Sequence, residues 1–254
     1  MTETPLHGLK KFSSSVINLT QPVVEKVLGG ENEEKAFEVM GNILNILMDE
    51  PGDRYFGLTP SSKDKSAIKI LFGFAEIESS FDVLQDIPFY LKHFPSKHPL
   101  ISKTRFLNYH VGNYLNEVYI LRERLRSYQK AITRMYKSDY RLREMGKHIT
   151  KLDVLVSGFD NIVNVRGRHV HQERYDDEDF VRLKFYEQSV KMDDPLLDKL
   201  YSLALQVYRK KWVEKFSENN GKVKEILDAY FETLYDIVFD ENGNWIEPVK
   251  SNSA

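Results

Sequence analysis

Residues 102 to 146 read SKTRFLNYHVGNYLNEVYILRERLRSYQKAITRMYKSDYRLREMG. Apolar residues recur in this stretch at intervals of three and four, which is the period of one face of an α-helix. They are Leu107, Val111, Tyr114, Val118, Leu121, Leu125, Tyr128, Ile132, Met135 and Tyr136. The stretch therefore predicts one uninterrupted helix from Ser102 to about Gly146, the longest of the chain, with these side chains in the core.

The same period extends over most of the chain, whereas the alternation typical of strands is scarce. Glycine, proline and asparagine mark the breaks between helices. We predict helices before Gly29-Gly30, from Asn32 to about Asp49, from Ser62 to about His93, from about Thr150 through residue 171, from the acidic run 176–179, from Pro195 to Asn219-Asn220-Gly221, and finally to about Asp240. The prediction is an all-α antiparallel helical bundle with long central helices, a single domain over 1–240 and a flexible tail over 241–254.

The composition limits the classes of function. The 254 residues are 41% hydrophobic, and 36 Lys+Arg against 38 Asp+Glu leave a net charge of -2. Such a balance gives no overall attraction to nucleic acid, so any RNA site must be a local patch. The lack of cysteine excludes disulfides, thiolate metal sites and a cysteine nucleophile. With no signal-like N-terminus and no apolar run long enough to span a bilayer, we expect a soluble cytoplasmic protein with no membrane partner.

A cationic stripe follows the face of the 102–146 helix opposite its apolar residues. Its members are Arg122, Arg126, Lys130, Arg134, Lys137 and Arg141. On an unbroken helix they would form a line about 28 Å long. Surfaces that hold an RNA backbone are often built in this way. The alternative is a solvated face neutralised by neighbouring acids.

A second cluster of cations lies in the segment Asn164-Val165-Arg166-Gly167-Arg168-His169-Val170-His171. Arginine can donate two hydrogen bonds to one phosphate, and histidine exchanges protons near neutral pH. Together they suffice for cleavage of a phosphodiester without a metal ion. The alternative is an arginine held in a structural salt bridge.

The helical wheel of this segment places Arg166 near the middle of its apolar face. That face consists of Leu152, Leu155, Val156, Phe159, Ile162, Val163 and Val170, whereas Asn161, Asn164, Arg168 and His171 lie opposite. On the 102–146 helix, His110 and Glu117 fall on or beside the core face, with Asn113 and Arg124 at its edge. A buried charge needs a partner. We therefore predict that Arg166 pairs with Glu117.

Several chemistries lack their motifs. The chain has no phosphate-binding glycine loop, dinucleotide-binding turn, nucleophile elbow or His-Glu-x-x-His pair. No histidine has a glutamate three positions before it, as a di-iron bundle requires. His169 and His171 would lie about 160° apart on a helix and could not share one metal. We predict no metal site and no cofactor.

The run from Arg166 to His171 resembles the Arg-x(4 to 6)-His motif of the HEPN superfamily, over about residues 60–240. The resemblance implies an all-α bundle, a homodimer with the motif near its interface, and metal-independent ribonuclease activity. Arg166 would stabilise charge on the phosphoryl group and His171 would transfer protons, with Glu117, Asn164, Arg168 and His110 in support. It also implies a role as a toxin or defence component, with an antitoxin or another protein as partner. Gly167 departs from the family, in which this position is usually polar, so a catalytically degenerate member is also a candidate.

Two functions follow from these observations. The first is a HEPN-like protein that binds RNA and cleaves it by acid–base chemistry. The alternative is a non-enzymatic helical interaction module in which Arg166 forms a structural ion pair. An exposed groove containing Arg166 and His171 would favour the enzyme, whereas an Arg166 sealed by carboxylates would favour the module.

Overall fold

The structure is a computed structural model, and it describes residues 7–28, 41, 61–93, 101–137, 139, 141, 145–160, 162, 178–190 and 194–248. Within these residues the prediction of an all-α fold is confirmed, and the one strand-like contact is an isolated bridge between Phe239 and Trp245. The helices of this part of the chain are α1 (His7–Leu28), α2 (Ser62–Lys92), α3 (Lys103–Met135), α4 (Gly146–Ser157), α5 (Glu178–Ser189) and α6 (Pro195–Val238). The predicted helix from Asn32 to Asp49 lies outside the described residues, apart from Gly41.

Side-chain hydrogen bonds cap the first turns of α2 and α6. Before α2, the Ser61 hydroxyl accepts a hydrogen bond from the Asp64 amide at 3.1 Å, and the Asp64 carboxylate accepts one from the Ser61 amide at 2.9 Å. Such a reciprocal pair satisfies two amides that have no partner within the helix. Before α6, the Asp194 carboxylate accepts from the Leu196 amide at 2.8 Å, and Pro195 occupies the first helical position. The predicted starts of these two helices are confirmed.

The chain divides into two compact units. Unit 1 comprises Met1–Glu78, Arg124–Leu155 and Ile226–Ala254, and unit 2 comprises Ser79–Glu123 and Val156–Glu225. Helices α2, α3 and α6 contribute residues to both units. The sequence predicted a single domain over 1–240. It showed no break at the limits of the two units, because each limit falls inside a continuous helical pattern.

Unit 1 is organised around four phenylalanine rings. The ring of Phe12 lies 5.5 Å from Phe74, 5.0 Å from Phe231 and 5.5 Å from Phe239, measured between centroids. All four side chains are buried. Tilted and edge-to-face rings at these separations add specific geometry to the hydrophobic effect. The cluster joins α1, α2 and the C-terminal part of α6.

A glycine allows α2 and α3 to approach closely in the same unit. A Cβ atom at Gly73 would lie 2.3 Å from Cδ2 of Tyr128, which is closer than any real contact. The Tyr128 ring occupies this space, and its hydroxyl donates to the Ile70 carbonyl at 2.8 Å. A larger residue at position 73 would therefore displace a fully buried tyrosine.

Unit 2 has its own aromatic core. Tyr114 stacks on Phe216 with centroids 4.0 Å apart, and Phe216 contacts Trp212 at 5.4 Å. Phe180 of α5 stacks on Trp212 at 6.1 Å. These rings join α3, α5 and α6 within the unit.

The predicted core face of α3 is confirmed. Its buried members are Leu107, Val111, Tyr114, Val118, Leu121, Leu125, Tyr128, Ile132 and Tyr136. Met135 is half-buried. The periodicity of the sequence alone was sufficient to identify this face.

The predicted continuation of that helix to Gly146 is wrong, because α3 ends at Met135. The Tyr136 hydroxyl donates to the Ile246 carbonyl at 2.8 Å, and the buried Asp139 carboxylate accepts from the backbone amide and the guanidinium of Arg141. These bonds fix the first described residues after the end of α3. Helical periodicity does not reveal the Tyr136 bond, since its acceptor lies 110 positions away.

The predicted break at Asn219-Asn220-Gly221 is also wrong. Helix α6 continues through it for 44 residues, and this makes α6, not the 102–146 helix, the longest helix of the described chain. Asn220 is buried, accepts a hydrogen bond from the Tyr114 hydroxyl at 2.8 Å and donates to the Leu84 carbonyl at 2.8 Å. An asparagine that is fully bonded by tertiary contacts no longer competes with the helical backbone.

Part of the segment predicted as a flexible tail makes defined contacts. After α6, the Asp240 carboxylate accepts hydrogen bonds from the side-chain amide of Asn244 and from the backbone amides of Asn244 and Asn242, and these bonds lower the pKa of Asp240. The Ile246 amide then donates to the Val238 carbonyl at 2.9 Å. Residues 241–248 belong to the described chain, and residues 249–254 lie outside it.

We expect Asn220→Ala to lower the free energy of unfolding by about 1–3 kcal/mol, because it removes the buried hydrogen bonds to the Tyr114 hydroxyl and to the Leu84 carbonyl. Urea denaturation followed by circular dichroism measures this change.

The neighbouring position provides the control. A Cβ at Gly221 meets nothing within 4 Å, so Gly221→Ala should raise the free energy of unfolding by about 0.5–1 kcal/mol through helix propensity alone. An equal loss in both variants would mean that the helix is broken at this point.

Candidate nucleic-acid interface

The Arg/His motif lies outside the described residues. This applies to the predicted catalytic pair Arg166 and His171, and to Asn164 and Arg168. The predicted pairing of Arg166 with Glu117 stays a prediction for the same reason. Of the chain before and after the motif, the structure describes residues 145–160, 162 and 178–190.

Helix α4 leads toward the motif with its apolar face inward. Leu152, Val156 and Phe159 are buried, and Leu155 and Ile162 are half-buried. These five residues belong to the apolar face predicted for the motif helix, and for them the prediction is confirmed. The helix begins at Gly146, four residues before the predicted start, and gives way to a turn after Ser157.

An ion pair holds the chain just before the motif. Nη2 of Arg122 on α3 lies 2.7 Å from Oδ1 of Asp160, and Nη1 lies 3.5 Å from Glu123. The Arg122 side chain is 13% exposed, so its charge is largely withdrawn from solvent. Arg122 was predicted to contact RNA, but in the structure its guanidinium is engaged with these two carboxylates.

His110 and Glu117 are both half-buried on α3. The imidazole of His110 lies among aromatic rings, with Phe106 at 4.3 Å and Tyr90 at 6.0 Å between centroids. Its Nδ1 is buried and has no hydrogen-bonding partner among the described residues. Burial lowers the pKa of His110, so the ring is favoured in its neutral form.

The remaining members of the cationic stripe separate into two groups. Lys130, Arg134 and Lys137 are exposed, and Arg126 is half-exposed. Arg141 forms an ion pair with Asp139 and donates to the Glu247 carbonyl at 3.0 Å. Because α3 ends at Met135, the predicted single helical line from Arg122 to Arg141 is wrong. We call Arg126, Lys130, Arg134 and Lys137 the basic surface; all four belong to unit 1.

Sequence reasoning missed two cations on the neighbouring helix. Gln129 of α3 donates to the Asp153 carboxylate at 2.8 Å, which brings α4 alongside α3 in unit 1. Lys147 and Lys151 are exposed on α4, one turn apart. Their spacing of four residues places them on one face of a helix, but the predicted helix start at Thr150 excluded Lys147. They add to the exposed positive charge of this unit.

Across the described ranges, no group of three or more histidine, cysteine or acidic side chains could hold a metal ion. None of the helices described in this structure is both long and apolar enough to cross a bilayer.

The pair between Arg122 and Asp160 should have a measurable coupling energy. We expect Arg122→Ala and Asp160→Ala each to destabilise the protein, and the double variant to lose less than their sum by about 0.5–1 kcal/mol, since Asp160 is partly exposed. Urea denaturation of the four proteins gives the coupling energy. Strict additivity would show that the pair contributes no stability.

No family model matches this chain, and no significant similarity to a curated protein or to a solved structure is found. The resemblance to the HEPN superfamily therefore depends on the motif and on the helical setting alone.

Proposed function

We propose that this protein binds RNA through the basic surface and cleaves it by metal-independent acid–base chemistry at Arg166 and His171. The observation that carries the proposal is the exposure of Lys130, Arg134 and Lys137 at consecutive turns of the chain. In a protein whose net charge is -2, a concentration of exposed cations is the local patch that RNA binding requires.

The spacing of these cations suits a phosphate backbone. Lys130 and Arg134 are separated by one turn, about 6 Å along α3. A single strand that follows the helix could meet both side chains, with Arg126 one turn before them. Contacts of this kind supply affinity and orientation but no base recognition. The proposed binding is therefore independent of sequence.

The register of the chain before the motif supports the pairing of Arg166 with Glu117. Asp160 is bonded to Arg122, so these two positions lie side by side in unit 2. Arg166 follows Asp160 by six residues, and Glu117 precedes Arg122 by five. If the chain continued as a helix antiparallel to α3, Arg166 would lie about 9 Å along the axis from Asp160. Glu117 lies about 7.5 Å from Arg122 in the same direction, so the guanidinium would come near the carboxylate.

His171 would then perform the proton transfers. It removes the proton from a ribose 2′-hydroxyl, which attacks the adjacent phosphorus, and the protonated imidazole supplies a proton to the departing 5′-oxygen. Arg166 stabilises the negative charge that develops on the phosphoryl oxygens. Asn164 and Arg168 would help to hold the substrate phosphate. His110, whose lowered pKa favours the neutral ring, would accept a hydrogen bond instead of acting as an acid.

The HEPN resemblance adds three elements to the proposal. They are a homodimer that brings two motifs together, a cytoplasmic role as a toxin or defence component, and a protein partner such as an antitoxin. Two motifs across a two-fold axis would explain why the helical wheel places Arg166 on an apolar face.

A specific observation favours the second candidate, the non-enzymatic helical interaction module. Two of the six cations assigned to RNA, Arg122 and Arg141, are bound to carboxylates of the same chain. Arg166 would follow the same pattern if its pairing with Glu117 were purely structural. Gly167 in place of a polar residue is consistent with this candidate.

Replacing Lys130 and Arg134 by alanine should weaken the binding of single-stranded RNA. Each lost phosphate contact should reduce the slope of log K against log salt by about 0.7. Fluorescence anisotropy with a mixed-sequence oligonucleotide at several salt concentrations measures both the affinity and the slope.

Lys92 and Lys222 provide the matched control, since both are exposed lysines of unit 2 outside the basic surface. Their double alanine variant removes the same charge and should bind RNA like the unmodified protein. If both double variants lost RNA affinity equally, the effect would come from net charge. The basic surface would then not be the RNA site.

His171→Ala should lower RNA cleavage by about a hundredfold or more while folding is retained, because it removes the proton-transfer group alone. Arg166→Ala should lose activity and also about 3–5 kcal/mol of stability, because it leaves the Glu117 carboxylate unpaired. Cleavage in the presence of EDTA, together with urea denaturation, measures the two effects.

His169→Ala is the control, since position 169 would lie about 160° from 171 on a helix. Loss of activity in His169→Ala but not in His171→Ala would mean that the motif register is wrong. If the unmodified protein does not cleave RNA, the ribonuclease proposal fails and the non-enzymatic interaction module is the favoured function.

A further inference from the structure

An exposed apolar stripe follows one face of the N-terminal half of α6. It consists of Leu196, Leu200, Leu203 and Val207, which are 63%, 41%, 59% and 55% exposed. Their spacing of four, three and four residues places all four on one face of the helix. We call these four side chains the α6 stripe. Contiguous apolar surface of this kind commonly marks a site of interaction.

The opposite face of this part of α6 packs inside unit 2. Tyr201 and Trp212 are buried there. Helix α5 lies beside the same face, where the Tyr201 hydroxyl donates to Glu187 at 3.2 Å. The packing of unit 2 therefore leaves the α6 stripe exposed.

Lysines accompany the α6 stripe. Lys199 and Lys210 are exposed, and around the helix axis they lie about 40° and 20° from Leu203. The remaining charges at this end of the helix lie about 120° or more from Leu203 and face another side, and they are Asp194, Asp198 and Arg209. The charges closest to the α6 stripe along its length are thus positive, which favours an anionic partner.

We propose that the α6 stripe binds the surface of an anionic lipid bilayer. The leucine side chains enter the boundary between headgroups and acyl chains, and Lys199 and Lys210 contact the acidic headgroups. A helix with an apolar face and lysines beside it binds in the plane of such an interface. The aliphatic stem of each lysine can follow the apolar region while its ammonium group reaches the headgroups.

The length of the α6 stripe favours a lipid surface over a helix of a partner protein. The next two positions in the same spacing are Lys210 and Glu214, whose charged groups lie 3.8 Å apart and are both exposed. A helix–helix seam requires apolar residues at these positions over about three heptads or more, and the stripe covers only two. A lipid interface has no such requirement, and charged residues at the end of the apolar row can remain among the headgroups.

The contact is peripheral, since the other face of α6 stays packed in unit 2. The expectation of no membrane partner concerned a spanning segment, and a peripheral contact needs none. Four aliphatic side chains and two lysines make a small contact, so binding should be reversible and should weaken as salt screens the lysines. This inference goes beyond the RNA proposal and stands without it.

Flotation of the full chain with lipid vesicles tests the proposal. At low salt, the unmodified protein should float with vesicles of phosphatidylcholine and phosphatidylserine in equal parts, and much less with phosphatidylcholine alone. Leu200→Glu/Leu203→Glu should not float, because insertion would bury charged carboxylates. Val154→Glu is the control, since Val154 is 65% exposed on α4 and lies outside the stripe; it should float like the unmodified protein.

Circular dichroism should be the same for these three proteins, because the substituted side chains are exposed. An unmodified protein that does not float with the anionic vesicles would overturn the proposal. A Leu200→Glu/Leu203→Glu variant that floats normally would also overturn it, and would leave a protein partner as the occupant of the stripe.

The lysines are tested separately. Lys199→Gln/Lys210→Gln should weaken binding to the anionic vesicles by about tenfold, because both headgroup contacts are lost. Lys92→Gln/Lys222→Gln removes the same charge from exposed lysines elsewhere in unit 2 and should bind normally. Equal weakening in both pairs would mean that net charge, and not the α6 stripe, governs the binding.

A fluorescent label tests which side of α6 meets the lipid, because the chain has no cysteine of its own. A polarity-sensitive fluorophore on Leu203→Cys should brighten and shift to shorter wavelength when anionic vesicles are added. The same label on Asp198→Cys should not respond, since position 198 lies about 140° from 203 around the axis. A response at 198 but not at 203 would refute the proposed contact. No RNA is present in these experiments, so failure here leaves the RNA proposal intact.

Discussion

Buried tyrosine hydroxyls hold the long helices of this protein in a fixed register. The Tyr128 hydroxyl donates to the Ile70 carbonyl at 2.8 Å, and the Tyr230 hydroxyl donates to the Leu125 carbonyl at 2.9 Å. Burial raises the pKa of both groups well above the ordinary value, so each stays protonated and able to donate. A hydroxyl in such a place costs free energy unless it finds an acceptor. A shift of one residue between two helices would remove that acceptor.

Two further tyrosine hydroxyls make bonds of the same kind. Tyr114 uses the side chain of Asn220 as its acceptor, and Tyr136 uses the Ile246 carbonyl. Burial raises the pKa of Tyr136 to about 12, so its hydroxyl stays protonated and keeps this bond at a pH well above the ordinary pKa of tyrosine. Apolar packing alone tolerates small displacements, whereas these directional bonds do not. Within each unit, they explain how the packed helices can have a single alignment.

The exposure of the basic surface is a consequence of the packing inside unit 1. Once the buried face of α3 is turned inward, Lys130 and Arg134 face solvent. In unit 2, α6 buries Tyr201 and Trp212, and Leu196, Leu200, Leu203 and Val207 on its other face remain exposed.

The sequence by itself determined the helical class, the buried face of α3 and the starts of α2 and α6, because periodicity and capping are local properties. Only the tertiary structure decided where α3 ends and that α6 continues through Asn219-Asn220-Gly221. In both places a distant partner satisfies a polar group: the Ile246 carbonyl for Tyr136, and Tyr114 and Leu84 for Asn220. Tertiary structure also decided which cations remain exposed. Arg122 and Lys130 share one pattern in sequence, but Arg122 lies beside Asp160, 38 positions later, and Lys130 is exposed to solvent.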